Sequence, residues 1–475
     1  MVISTLADGL VRRAETVGDS ISEVLFEPVV RLGVTGLARS GKTVFITSLV
    51  ANLMDRGRMP GLVAAQEGRI EAAFLQPQPD DTVPRFDFEN NLAAIASRTP
   101  AWPAGTRAVS ELRLSLRVRP GGLLGGLQGP RTVHLDIVDY PGEWLLDLAL
   151  LERSYDDWAA DTLARIGGRA SAAAFMERAR AADAQAAHDE ATAQDLAARF
   201  AEYLQEARRE GHYDCTPGRF LLPGDLAGSP VLTFAPVPVA GPSRRASLHR
   251  EMERRFEAYK RQVVQPFFRD HFARIDRQVV LVDALGAIHA GPPAVEDMRR
   301  AMADILAAFR PGSNGFLRRL LRGKRVEKIL FAATKADHLH HTQHARLSAI
   351  MQALTRDAAE RARFAGARTE AIALAALRAT TEEMRPHHGR DLPCVRGTLL
   401  QPDGTRGREA AFYPGELPAD PRHLLGPARE GAETWLDAEF EAMTFAPAPL
   451  SLKSGDGPPH IRLDRAAQFL IGDRL

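Results

Sequence analysis

The sequence predicts an α/β chain: a phosphate-loop core built on a mixed, mainly parallel sheet and interrupted by a large α-helical insertion. Three observations carry this. An apolar run, Val30 to Val34, leads into Gly36-Leu37-Ala38-Arg39-Ser40-Gly41-Lys42-Thr43, which fits G-x-x-x-x-G-K-[ST], and Val44 to Met54 follows with helical apolar spacing. From Val279 onward, apolar runs alternate with helical patterns, as parallel sheets require. Between about Glu143 and Phe272 the chain turns alanine-rich and charged with few β-branched residues, a composition of high helix propensity.

Each element follows from its residues. Ile3, Leu6, Leu10, Val17, Ile21 and Leu25 recur at near-helical spacing among Arg12, Arg13 and Asp19, so residues 1–28 read as an N-terminal helix packed on the core. The alternative is a basic amphipathic helix making peripheral contact with a membrane. The first part of the core spans 29–144. Within it Glu67 to Arg107 is polar and broken by prolines, without strong periodicity. Glu111 to Val118 alternates polar and apolar residues, and Thr132 to Val138 answers it across the glycine-rich stretch Pro120 to Pro130, which predicts an antiparallel hairpin. The insertion, 145–272, reads as helical over Ser171 to Arg209 and Ser247 to Phe267. Gly167-Gly168 and the Gly- and Pro-rich Gly211 to Pro242 interrupt any long coiled coil. The second part of the core, 273–392, carries strands at Val279 to Asp283, Lys328 to Ala333 and Ala371 to Ala376, with helices at Val295 to Phe309 and Thr342 to Phe364. The remainder, 393–475, adds a hairpin (Val395 to Leu400 and Glu409 to Tyr413) and a capping helix, Ile461 to Leu475.

Composition narrows the function classes. The 475 residues allow two or three domains, and 45% hydrophobic with 25% charged residues is ordinary globular usage. A net charge of +1 gives no bulk attraction to nucleic acid or anionic membrane. No run approaches the roughly 18 apolar residues of a membrane span, and no compact apolar signal segment opens the chain, so a cytoplasmic location is expected. Cys215 and Cys394 stand far apart in unrelated surroundings and read as incidental thiols.

The chemistry starts from phosphate. Glycines let consecutive N–H groups curl around a triphosphate, Lys42 offers a point charge to the β- and γ-phosphates, and the Thr43 hydroxyl ligates Mg²⁺. Ser40, Gly41 and Val44 complete the contact surface, with the phosphates at the positive helix N-terminus. Two D-x-x-G sites, Asp139-Tyr140-Pro141-Gly142 and Asp283-Ala284-Leu285-Gly286, can supply a Mg²⁺-holding aspartate and a γ-phosphate-sensing glycine. Topology favours Asp139 with Gly142, because the Asp283 strand is then needed between the phosphate-loop strand and Lys328 to Ala333. Past that last strand, Thr334-Lys335-Ala336-Asp337 fits [NT]-K-x-D: the Asp337 carboxylate can accept from guanine N1–H and the 2-amino group while the Lys335 stem covers the ring. Adenine offers no such donor pair. Leu377, at the end of the following strand, lies where backbone N–H groups reach guanine O6.

Val34 to Leu49, Asp139 to Trp144, Thr334 to His338 and the tail His460-Ile461-Arg462-Leu463-Asp464 together resemble the YcjX family of stress-associated P-loop proteins, nearly end to end. The resemblance implies a Ras-like core that binds GTP and GDP with Mg²⁺ and a role in transducing a stress response. Thr106 then occupies the irregular stretch from which a switch threonine bonds Mg²⁺ and the γ-phosphate, with Ser110 as its rival, and Trp102 is close enough to cover the nucleotide. Glu143 stands where many GTPases carry a water-orienting Gln; a carboxylate there orients water but repels the γ-phosphate. Arg39 is read as solvent-facing. His338, His340, His341 and His344 cluster after the base-reading loop; His338 is read near the base or ribose, and His340 with His344 has the i, i+4 spacing of zinc ligands without the HExxH glutamate. The expected function is a slow regulatory GTPase whose helical insertion meets a protein partner, and no nucleic acid is expected. An ATPase and a nucleotide-stabilised scaffold are the alternatives.

Overall fold

A computed structural model describes residues 27–475 apart from 38, 107, 122–128, 239–240, 242, 308–325, 365, 402 and 436–439. The helix expected at the N-terminus lies outside the described residues, apart from 27 and 28.

Seven strands form the main sheet: β1 (Val29–Gly36), β2 (Ile70–Gln76), β3 (Ser110–Val118), β4 (Arg131–Asp139), β5 (Arg277–Val282), β6 (Lys328–Ala333) and β7 (Arg368–Ala373), in the order β2-β3-β4-β1-β5-β6-β7. β1 runs parallel to β4 and β5, and β5, β6 and β7 continue parallel. β2 and β3 pair antiparallel, as do β3 and β4. The sheet is therefore mixed and mainly parallel, the α/β core of a P-loop, Ras-like fold. β5 and β6 are buried along their whole length, which explains why they read as continuous runs rather than alternating ones.

β2 was not expected: the stretch Glu67 to Arg107 carried no clear pattern. It is an edge strand with mixed burial, and Phe74 on it stays exposed, so neither face imposes an alternation.

Helix α1 (Lys42–Met54) follows the phosphate loop, and α2 (Phe88–Ala96) is a second element within the unpatterned stretch. Helix α3 (Gly142–Leu146) leads from the core into the insertion, which continues through α4 (Tyr155–Ile166), α5 (Ala173–Ala181), α6 (Glu190–Glu210) and α7 (Leu248–Tyr259). The helix expected from Ser171 to Arg209 is two helices. Asp189 caps the second of them, its carboxylate accepting from Thr192 N–H at 2.8 Å. Aromatic rings fill the insertion: Trp158 stacks on Phe256 at 5.0 Å and meets Phe234 edge-on at 5.7 Å. This cluster is continuous with one face of the sheet through Val280, Val282 and Phe331. The insertion thus shares a core with the sheet rather than standing apart from it.

After β5 come α8 (Pro292–Ala307) and α9 (His344–Leu354). The single helix expected over Thr342 to Phe364 starts at His344 and is split at Thr355, whose hydroxyl bonds back to Met351 O at 2.8 Å. A separate antiparallel sheet joins β8 (Thr381–His387), β9 (Arg390–Leu400) and β10 (Arg406–Phe412). The boundary expected at residue 393 therefore falls inside β9, and the expected hairpin has a third strand. α10 (Leu463–Ile471) packs with α1 on the other face of the main sheet. Buried cations at two strand starts anchor it: Arg277 donates to Leu470 O at 3.0 Å, and Lys328 to Phe469 O at 2.7 Å.

Asp147, immediately after α3, is buried and ties the insertion together. Its carboxylate accepts from Gly218 N–H at 2.7 Å and from the Tyr259 hydroxyl at 2.5 Å. Burial pushes its pKa up to about 7, against those two hydrogen bonds. The folded chain then holds a proton that the unfolded chain has released, so this group lowers stability as pH rises from about 4 to 7 and contributes no further change above. Asp147→Asn should remove the effect: relative to wild type, the variant's unfolding free energy from urea titration should rise progressively from pH 4.5 to 7, by on the order of a few kcal/mol. A constant difference across that range would count against a protonated Asp147.

Candidate functional site

The phosphate loop closes on backbone geometry. Arg39 and Gly41 adopt left-handed φ of 62° and 79°, turning successive N–H groups inward, and Arg39 is exposed, as expected. Gly36 is required for space: a Cβ there would lie 2.2 Å from Ser40 Oγ and 2.7 Å from Leu281 O. α1 begins at Lys42 with no side-chain cap, leaving its first N–H groups, including that of Val44, for a ligand. Lys42 Nζ donates to Gly36 O at 3.3 Å, and Thr43 Oγ1 to Ala104 O at 3.3 Å. The buried Ser40 hydroxyl has no hydrogen-bond partner among the described residues.

Asp139 ends β4, next to β1. Its Oδ2 accepts from Thr106 Oγ1 at 2.7 Å, while Oδ1, also buried, has no hydrogen-bond partner among the described residues. Burial raises its pKa to about 6, and Lys42 and Thr106 pull the other way. Of the two hydroxyls weighed for this position, Thr106 makes the contact; Ser110 starts β3 directly opposite Asp139 in the antiparallel register. Lys42, Thr43, Thr106 and Asp139 are thus gathered at the C-terminal ends of β1 and β4. Gly142 closes the group, since a Cβ on it would sit 2.1 Å from Gly36 O. Glu143, the residue expected to orient water, has a charged neighbour that its position after Gly142 did not disclose. Its buried carboxylate lies 2.8 Å from Arg208 Nη2 on α6, an ion pair with the insertion.

The second cluster surrounds Asp337 at the end of β6. Lys335 takes a left-handed φ of 58°, and its ammonium pairs with Asp283 at the end of β5. Asp283 therefore orients the lysine, a role the sequence left unassigned. Thr334 Oγ1 donates to Val282 O at 3.2 Å, tying this loop to β5. Asp337 Oδ2 accepts from Ala379 N–H at 2.8 Å. Leu377 is buried in the segment after β7, whose backbone is fixed by Ala375–Ile461 pairing and by Arg378 N–H to Pro459 O at 2.8 Å. His338 is half-buried, and desolvation lowers its pKa; its ring meets Phe445 edge-on at 5.0 Å. Trp102 donates from Nε1 to Phe445 O at 2.8 Å, so it packs on the C-terminal extension beside this loop. Arg406 completes that contact, bonding Pro100 O at 2.9 Å and Pro447 O at 3.0 Å. Arg208, Arg406 and Phe445 were not singled out from the sequence, where long separations hide their contacts, and Asp283 was weighed there only as the alternative Mg²⁺-holding aspartate.

His340 and His344 do not share a helical face. His344 Nε2 bonds Ala336 O at 2.7 Å from the first turn of α9, whereas His340 precedes that helix and lies with His341 against Glu382.

A family model for the YcjX-like family, DUF463, matches residues 30–475. The chain belongs to that family. Similar curated relatives carry the name Ras-like GTPase YcjX. The one from Escherichia coli is 39% identical over 460 residues, covering 94% of this chain and 96% of the relative. The one from Shewanella oneidensis is 35% identical over 475 residues, covering 94% of each. In this member of the family the contact between Gly142 and Gly36 has no space for a methyl group. Gly142→Ala should keep the fold by circular dichroism yet weaken triphosphate affinity at least about tenfold, about 1.4 kcal/mol, in calorimetric titration. Unchanged affinity would mean that the phosphate loop and the Asp139 loop are not coupled.

Proposed function

We propose that this chain is a Ras-like regulatory GTPase that binds GTP and GDP with Mg²⁺, hydrolyses GTP slowly, and passes its nucleotide state to the helical insertion. The reading extends to the cytoplasm and a stress response as its setting, and to a protein partner on the insertion. The convergence of Lys42, Thr43, Thr106 and Asp139 beside the backbone contact between Gly142 and Gly36 carries it. The relatives' name, Ras-like GTPase, supports it. Among the described residues, no helix is long and apolar enough to cross a membrane.

Thr43, Thr106 and Asp139 are the groups that would hold Mg²⁺. The orphaned, buried Asp139 Oδ1 fits that assignment, because an unpartnered carboxylate oxygen in a dry site is costly without a cation. Bound there, Mg²⁺ would neutralise charge on the β- and γ-phosphates. Lys42 adds its charge to the same oxygens, the Gly142 N–H senses the γ-phosphate, and Asp337 with the Lys335 stem reads guanine. Trp102 lies beside this loop.

Base choice is the direct test. Asp337→Ala should weaken GTP and GDP by more than the roughly 1 kcal/mol of a neutral hydrogen bond, since a charged acceptor meets two donors. Lys42→Ala should remove triphosphate binding without unfolding. Calorimetric titration with GTP, GDP and ATP decides both; a preference of the unmodified chain for ATP would sink the guanine reading.

Turnover without a partner should fall on the order of 10⁻⁴ to 10⁻² per second, the range of GTPases lacking a supplied arginine or carrying one in cis. Coupling to the insertion should run through the Glu143–Arg208 pair. Amide exchange over residues 200–210 should differ between a non-hydrolysable GTP analogue and GDP, and Glu143→Gln should abolish the difference. Equal exchange in both nucleotide states of the unmodified chain would remove the coupling, and several turnovers per second would remove the regulatory reading.

A further inference from the structure

The tail motif His460-Ile461-Arg462-Leu463-Asp464 braces the segment carrying Leu377 through Ile461, but its polar side chains make no contact described above with the phosphate or base clusters. With the loop after α1 and the segment after β7, it borders a separate, open pocket of about 460 Å³, lined by Arg58, Arg378, His460, Arg462, Asp464 and Arg465. Four guanidinium groups converge there. Among the described residues, only one is matched closely by a carboxylate: Arg58 Nη2 lies 3.1 Å from Asp456. Arg378 is 3.7 Å from Glu382 and spends its Nε on Thr380 O at 3.0 Å. Arg462 donates from Nη1 to the Ala373 carbonyl at 3.0 Å, an uncharged partner. Arg465 is exposed one turn along α10. The acid inside the cavity, Asp464, is held by Gly61 N–H at 2.7 Å.

Such an arrangement is costly without a ligand. Burial and the charge of Arg465 both push Arg462 below the ordinary guanidinium range, and Asp464 offsets this only in part. Arg462 also sits at φ 57°, a left-handed conformation that is unfavourable for a non-glycine residue. The frame around it is rigid. Ile461 pairs with Ala375 in both directions, Arg378 N–H bonds Pro459 O, and His460 bridges Arg58 O at 2.7 Å and Leu463 N–H at 3.3 Å. Planar forks on a fixed frame match the oxygens of a phosphate, which would relieve the repulsion between Arg462 and Arg465.

We propose that this cavity is a second anion site, distinct from the phosphate loop, that binds a phosphate group through Arg462, Arg465 and Arg378. The phosphate can belong to a small soluble molecule or to a lipid headgroup. The test uses the full chain carrying Lys42→Ala, so that the phosphate loop no longer competes. Inorganic pyrophosphate is titrated calorimetrically at low salt, and pelleting is measured with phosphatidylcholine vesicles with and without phosphatidic acid. Saturable pyrophosphate binding that falls at least about tenfold in Arg465→Ala and in Arg378→Ala assigns a soluble ligand. Pelleting that needs phosphatidic acid and is lost in the same variants, without pyrophosphate binding, places the phosphate on a lipid. Arg465 is exposed, so its substitution leaves the fold intact and circular dichroism checks this. Binding of neither probe, or binding indifferent to both substitutions, overturns the site.

Discussion

Three backbone segments meet where no side chain can stand between them. Gly142 presses on the Gly36 carbonyl, and Gly218 presses on the Glu143 carbonyl: a Cβ on the first would lie 2.1 Å from its neighbour and on the second 2.3 Å. The phosphate loop, the Asp139 loop and the insertion are therefore in direct main-chain contact, through two glycines and one peptide unit. Backbone contacts of this kind deform little. A displacement of Gly142 must move either the phosphate loop or the segment carrying Gly218. Glu143–Arg208 and the Asp147 hydrogen bonds bracket the same contact, so polar groups fix the orientation that the glycines permit.

What was legible in the sequence was what is local. The phosphate loop, the Asp139 loop and Thr334 to Asp337 each carry their chemistry within a few consecutive residues, and β5 and β6 announce themselves as unbroken apolar runs. The order β4-β1-β5-β6 also follows from choosing Asp139 over Asp283, because β5 must then stand between β1 and β6. What failed was set by tertiary context. β2 lies at a sheet edge whose two faces are unequally covered, so its residues show no period. The break at Thr355 depends on a hydroxyl competing with the helix ladder, and β8 pairs with β9 through residues whose exposed faces look like loop. Glu143 was read from its distance to Gly142 alone, yet its partner Arg208 comes from the far end of α6.

The C-terminal extension emerges as part of the candidate site rather than an appendage. Phe445 stands between Trp102, which bonds its carbonyl, and His338, whose ring it meets edge-on. Arg406 holds Pro100 and Pro447 together. The segment ahead of Thr106 is thereby tied to the loop bearing Asp337, although these lie far apart in sequence and at opposite sides of β1. Desolvation of the half-buried His338 disfavours its charged form, which suits a ring packed edge-on against Phe445.

The same economy explains why buried charges are tolerated at the opposite end of the sheet. Arg277 and Lys328 begin β5 and β6 with almost no exposed surface, and neither strand has a carboxylate of its own to meet them. Asp473, just past α10, approaches Arg277 at 3.0 Å and Lys328 at 2.5 Å, Glu327 immediately before β6 also pairs with Arg277, and carbonyls at the end of that helix accept from Arg277 Nε and Lys328 Nζ. Cations at a helix C-terminus also meet the negative end of its dipole. Because removing one partner of a buried pair leaves an uncompensated charge, both cations favour docking of α10, Lys328 through Asp473 and Phe469 O and Arg277 through Asp473 and Leu470 O. At its other end the same helix carries Arg465, and Arg462 stands at its N-cap, so its docking also sets two of the arginines that line the pocket.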